Sequence, residues 1–138
     1  MHTEVTFSVH ASADRVWAVL SDVERWPTWT ASMNQVVLDG PLVVGAVAKI
    51  RQPRLPATAW TVTEVVPGRS FSWESKAPGS LAVGEHEITP TGDAACEVRL
   101  MLDQTGPFGS VVGLLYRGLT RRYVQMEADG LAAKATKT

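Results

Sequence analysis

Between residues 33 and 103 the chain reads as strand after strand with no helix among them. QVVL, VVGAVAKI, AWTVTEVV, SFSWES, LAVGEHEI and CEVRLML are apolar, β-branched or aromatic runs. Turn residues part them: Asp39-Gly40-Pro41, Pro53 to Pro56, Pro67-Gly68, Pro78-Gly79 and Thr91-Gly92-Asp93. Parallel neighbours need a long crossover, usually a helix, and the gaps have no room for one. Six short strands joined by turns therefore predict an antiparallel meander.

The flanks of this run have a different period. Thr3, Val5, Phe7 and Val9 alternate with His2, Glu4, Thr6, Ser8 and His10, which predicts a further strand with one buried face. Ser12 then suits a helix N-cap and Asp14 suits the positive end of the dipole. Val16, Val19, Leu20 and Val23 follow at helical spacing, with Trp17 widening the stripe. Pro27 ends regular helix, and WPTW reads as a turn or short irregular helix. After the meander, Gly106-Pro107 opens a helix of about 25 residues. Its apolar stripe runs through Phe108, Val112, Leu115, Leu119, Met126 and Leu131, with Arg117, Arg121, Arg122, Gln125 and Glu127 filling the polar side. A polar tail from about residue 134 is expected to fray. The expected class is α+β in one domain over residues 1–138, with about seven antiparallel strands.

Charge and cysteine content exclude several functions. Lys and Arg number 13 against 14 Asp and Glu, so no basic face invites nucleic acid. Cys96 is alone and forms no intrachain disulfide. MHTEVTFSVH lacks the charged and apolar regions of a signal peptide, and no apolar run reaches the length of a membrane span. A cytoplasmic location is expected, and a homodimer is compatible with the sequence. His2, His10 and His86 lack ligand spacing, so neither a metal nor a cofactor is expected.

The order strand, short helix with a broken second turn, meander, long helix resembles the helix-grip START-like superfamily called SRPBCC, in its polyketide cyclase/dehydrase branch. The residues that carry the likeness are SVHASADRVWAVLSDVERWPTW, AWTVTEVVPGRSFSW, GEHEITP with the alternating strand after it, and GPFG opening a helix with paired arginines. The resemblance implies a curved sheet wrapped around the C-terminal helix, with two short helices after the first strand. It also implies a deep, mostly apolar cavity between sheet and helix for lipids, sterols, plant hormones or polyketides. Some members are cyclases or aromatases.

Given that cavity, Trp60, Phe71 and Trp73 on the central strands are candidate lining residues, although large aromatics also serve as plain core. Trp29 falls near the expected mouth, and Phe108, Val112, Leu115, Tyr116 and Leu119 lie on the helix that would roof it. Gly109, Gly113 and Gly118 inside that helix fit either close packing on the sheet or a roof held off a hollow.

His86 shares a strand face with Ala82, Gly84 and Ile88 and so points inward. It is the best candidate for acid–base work or ligand contact, with Tyr116 next; a hydrogen-bonded core histidine is the ordinary alternative. Glu64 and Glu74 lie on adjacent strands but read more simply as surface carboxylates. The phase of 43–66 stays open, and with it the facing of Lys49, Arg51, Trp60 and Glu64. Three functions follow: binding of a small hydrophobic or aromatic molecule, a cyclase/dehydrase-type enzyme in the same cavity, or an accessory module with a filled core. Met101, on the opposite strand face from Leu100, is the one hint of an exposed patch for the third.

Overall fold

The computed structural model describes residues 1–137, with side chains at all of these except 109, 110, 112 and 113. Seven strands form one antiparallel sheet: β1 (His2–Val9), β2 (Gln35–Leu38), β3 (Val47–Arg51), β4 (Thr58–Val66), β5 (Ser70–Ala77), β6 (Ser80–Gly92) and β7 (Ala95–Thr105). The spatial order is β1-β7-β6-β5-β4-β3-β2, so the six meander strands lie side by side in sequence order. β1 closes the far edge against β7, with Val5 opposite Leu100 and Val9 opposite Cys96. Between β1 and β2 come helix α1 (Ala13–Ser21) and a 3-10 helix, Val23–Thr28. The Ser12 hydroxyl caps α1 by accepting from the Arg15 amide at 3.1 Å. Val16, Val19, Leu20, Val23 and Trp26 are all buried.

Three departures from the sequence reading matter downstream. The expected run of strand from 43 begins only at Val47, because Val43 to Ala46 form a turn with Gly45 at φ +92°, a conformation glycine adopts without strain. The C-terminal helix is two helices, α2 (Pro107–Leu115) and α3 (Arg117–Thr136), broken at Tyr116. The break has a packing cause. α2 lies on β6 and β7, whereas α3 crosses to pack on β1 and α1, and one straight rod cannot serve both. α3 also stays helical to Thr136, where a frayed tail was expected from about 134; Ala135 is buried, and Arg15 donates to the carbonyls of Lys134 and Ala135.

A bulge in β4 resolves the phase of 43–66. The register against β5 shifts between Val62 and Glu64, so Trp60 and Val62 face in, Thr63 is the extra residue, and Val65 turns in after it. Lys49, Arg51 and Glu64 are exposed. Elsewhere the alternation runs true: Gly84, His86 and Ile88 on β6 and Cys96, Val98 and Leu100 on β7 are buried together. The core gathers these with α1, the 3-10 helix and the α3 residues Val124, Ala128, Leu131 and Ala135. Among the described residues, no helix is long and apolar enough to cross a membrane.

Candidate functional site

Between the concave face of the sheet and α3 lies a cavity of about 480 Å³. Its walls are mainly apolar and aromatic: Trp26, Met33, Ile50, Trp60, Trp73, Ala82, Gly84, Leu100, Met101 and Val124 among them. The two-residue period of the strands places Trp60, Trp73 and His86 here, since each sits at an inward-facing position of its strand. Gly84 provides the seat for Trp73: a Cβ at Gly84 would stand 2.9 Å from the indole Nε1. The indole of Trp60 donates to the Thr58 hydroxyl at 2.9 Å.

The rim is built by backbone geometry. Gly79, in the β5–β6 turn at φ +70°, offers its carbonyl to the Phe108 amide at 2.9 Å, and its missing Cβ is what lets the Phe108 ring lie against it. Phe108 and Tyr116 consequently stand at the opening, both exposed, beside Leu55, Pro56 and Pro78. The hydroxyl of Tyr123 donates to the Pro53 carbonyl, tying α3 to the β3–β4 loop on the other side.

Two titratable groups on the wall have unusual protonation. His86 lies in an aromatic nest, stacked on Phe71 at 4.2 Å between ring centres, with Trp26 and Trp73 each at 5.5 Å. Its Nδ1–H donates to the Phe71 carbonyl at 3.1 Å. A carbonyl only accepts, so the proton sits on Nδ1 and Nε2 is an acceptor, with no partner among the described residues. Burial pushes the imidazole down to about 4, and it is neutral at physiological pH.

Glu127 is the second group, and sequence reasoning placed it on the polar side of the helix. It sits on the inward face of α3, three residues after Val124 and four before Leu131, both buried. That spacing was the available signal; it was masked by carrying the stripe from Phe108 straight through the break at Tyr116. The Ser32 hydroxyl donates to Glu127 Oε1 at 3.2 Å, and Thr30 lies 2.8 Å behind Ser32. Desolvation pushes the Glu127 carboxyl up to about 7 against the opposing pull of Ser32. The side chain is half-buried because the cavity itself reaches it.

Of the other expected site residues, Trp60, Trp73, Phe108 and Tyr116 stand on the wall or rim with His86. Trp29, Phe71, Leu115 and Leu119 do not line the cavity. Phe71 is fully buried behind His86; Trp29 packs against Trp26 in a tilted pair at 5.4 Å between ring centres, and its buried Nε1 has no partner among the described residues. Leu115, at the end of α2, is 74% exposed because the helix turns after it. The side chain of Val112 lies outside those described. Met101, read as a hint of a surface patch, is buried and is among the residues lining the cavity. Glu64 and Glu74 do not meet: Glu64 is opposite Ser72, and Glu74 pairs with Lys76 at 3.3 Å.

A family model described as polyketide cyclase / dehydrase and lipid transport matches residues 1–136. No curated protein matches the chain. Among solved structures, the chain is similar to norcoclaurine synthase from Thalictrum flavum, with a TM-score of 0.77 at 15% identity over 100% of this chain and 87% of that one. A START superfamily protein from Mycobacterium smegmatis gives 0.75 at 16% identity over 98% and 99% of the two chains. The di-domain ARO/CYC BexL from the BE-7585A biosynthetic pathway gives 0.72 at 18% identity, over 97% of this chain and 46% of that one. At such identities the likeness is one of fold.

Proposed function

The chain belongs to the polyketide cyclase / dehydrase and lipid transport family, and from that premise we propose that its cavity binds one small apolar or aromatic molecule. The observation that carries this reading is the cavity of about 480 Å³, walled by tryptophans and aliphatic side chains with a few polar groups among them. Pockets for small molecules have this size and this mixture, in which apolar contact supplies affinity and the polar groups set orientation. Trp26, Trp60 and Trp73 would grip a ring or chain, while His86 Nε2 would accept from one ligand hydroxyl or N–H. Phe108 and Tyr116 would close over the entering molecule at the rim.

Native mass spectrometry of the purified chain, followed by denaturation and identification of any released compound, tests the reading. A mass added by one small molecule per chain, and a raised unfolding temperature with the compound re-added, are expected. A clean chain mass with no thermal shift across an alkyl and aromatic panel would contradict it.

One observation favours a second reading, a cyclase/dehydrase-type enzyme: His86 and Glu127 both line the cavity. A neutral imidazole and a carboxyl poised near neutrality can accept and return a proton while the walls hold a flexible substrate in a reactive shape. Loss of turnover in His86→Ala with ligand still bound would favour catalysis over carriage alone.

A further inference from the structure

Glu127 lacks a counter-ion. Among the described residues no Lys or Arg lines the cavity, and none of the ion pairs includes Glu127. Its protein hydrogen bond is the neutral one from Ser32, itself fully buried and backed by Thr30. A carboxylate in apolar surroundings is costly unless paired. Here the fold holds the carboxyl in place with a built hydrogen-bond chain while supplying no positive charge to meet it. The same wall carries the indole rings of Trp26, Trp60 and Trp73, with Trp26 and Trp60 each packed against Trp73 at 5.4 and 6.1 Å between ring centres. Indole faces attract cations, and do so more strongly out of water. A carboxylate without a partner and a wall carrying three indoles are two independent features that select the same kind of guest.

Resting on the reading that the cavity is a ligand site, we propose that its ligand carries a protonated amine on an aromatic or alkyl body, with Glu127 as the counter-ion. The amine completes the ion pair that the protein leaves open, and the body fills the apolar remainder. The other titratable groups on the wall are His86, Glu85, Tyr116 and Tyr123, and none supplies a competing cation near neutral pH. Pairing with the amine would draw the Glu127 carboxyl down from about 7 and release its proton on binding.

Phenethylamine and its neutral isostere propylbenzene, each competing against the neutral dye N-phenyl-naphthylamine, test the proposal on the whole chain. Glu127→Gln keeps an oxygen for Ser32 but removes the charge. It is expected to weaken phenethylamine by about tenfold or more, as loss of a charge-assisted hydrogen bond does, and to leave propylbenzene within about twofold. In the unsubstituted chain, phenethylamine should bind more tightly from about pH 6 to about pH 8 as Glu127 ionises, with propylbenzene flat; this arm does not depend on the variant folding. Propylbenzene binding without any Glu127-dependent preference for the amine overturns this inference and leaves the ligand-site reading standing; in that case the carboxyl keeps its proton and serves a neutral acceptor. Saturable dye binding that neither probe displaces overturns this inference alone, and failure of the dye itself to bind saturably overturns the two together.

Discussion

His86 and Glu127 share one cavity and respond to pH in opposite directions. The fold holds the imidazole at about 4, below its ordinary 6.5, so His86 favours the folded state above 6.5 and that stability is lost as pH falls toward 4. The fold holds the carboxyl at about 7, above its ordinary 4.5, so Glu127 is least costly below 4.5, and stability is lost as pH rises toward 7. Over the shared window from about pH 4.5 to about 6.5 the two slopes offset. Removing either should expose the other. Thermal melts of Glu127→Gln should show stability rising with pH across this window, and His86→Gln should show it falling. Two variants that keep the unsubstituted profile would contradict these environments. His86 was legible from the sequence because the alternation of β6 is regular, with Gly84 and Ile88 buried on either side of it. Its partner was not: a backbone carbonyl of Phe71, directly across the ladder, leaves no trace in residue identity.

At the scale of elements, glycines in the last helix separate packing from propensity. A Cβ on Gly118 would meet nothing within 4 Å, so Gly118→Ala should gain helix propensity and raise stability by up to about 1 kcal/mol. A Cβ on Gly130 would run into the carbonyl oxygen of Trp29, at the end of the 3-10 helix. Backbone cannot step aside as a flexible side chain can, so Gly130→Ala should cost about 2 kcal/mol or more, despite its better propensity. Denaturant melts of the two variants decide this; equal shifts of the same sign would contradict the close approach of α3. The sequence marked Gly118 as a helix interior glycine but carried no sign that Gly130 was the tight one. It also carried the apolar stripe from Phe108 past Tyr116 unbroken, because Leu115 and Leu119 keep helical spacing there. The turn at Tyr116 comes from two different partners, β6 and β7 before it and β1 and α1 after it, and partners are tertiary information. Strand boundaries fared better, since Pro67-Gly68 and Pro78-Gly79 sit at real turns; the bulge at Thr63 shifted a phase that pattern alone left open.

Across the whole molecule, the meander order follows from six runs with no room for crossovers, and the α+β architecture is the one that turn chemistry predicted. The cavity is a different matter. Periodicity identifies which side chains face inward where the phase is regular, as at His86, while the facing of Trp60 waited on the bulge in β4; and a void is the volume the inward side chains fail to fill. Nothing in residue type distinguishes Phe71, fully buried behind His86, from Trp73 two residues on, which stands on the wall. The tertiary packing around each ring, not its residue type, sets that distinction.

The ligand site is tested most directly by titrating N-phenyl-naphthylamine into the chain and into Ala82→Phe, which adds a ring to a cavity-lining position on β6. The cavity predicts saturable fluorescence with one dye per chain, weakened by about tenfold or more in the filled variant with little change in unfolding temperature. No saturable signal, or equal affinity in the two proteins, would contradict a ligand site between sheet and helix.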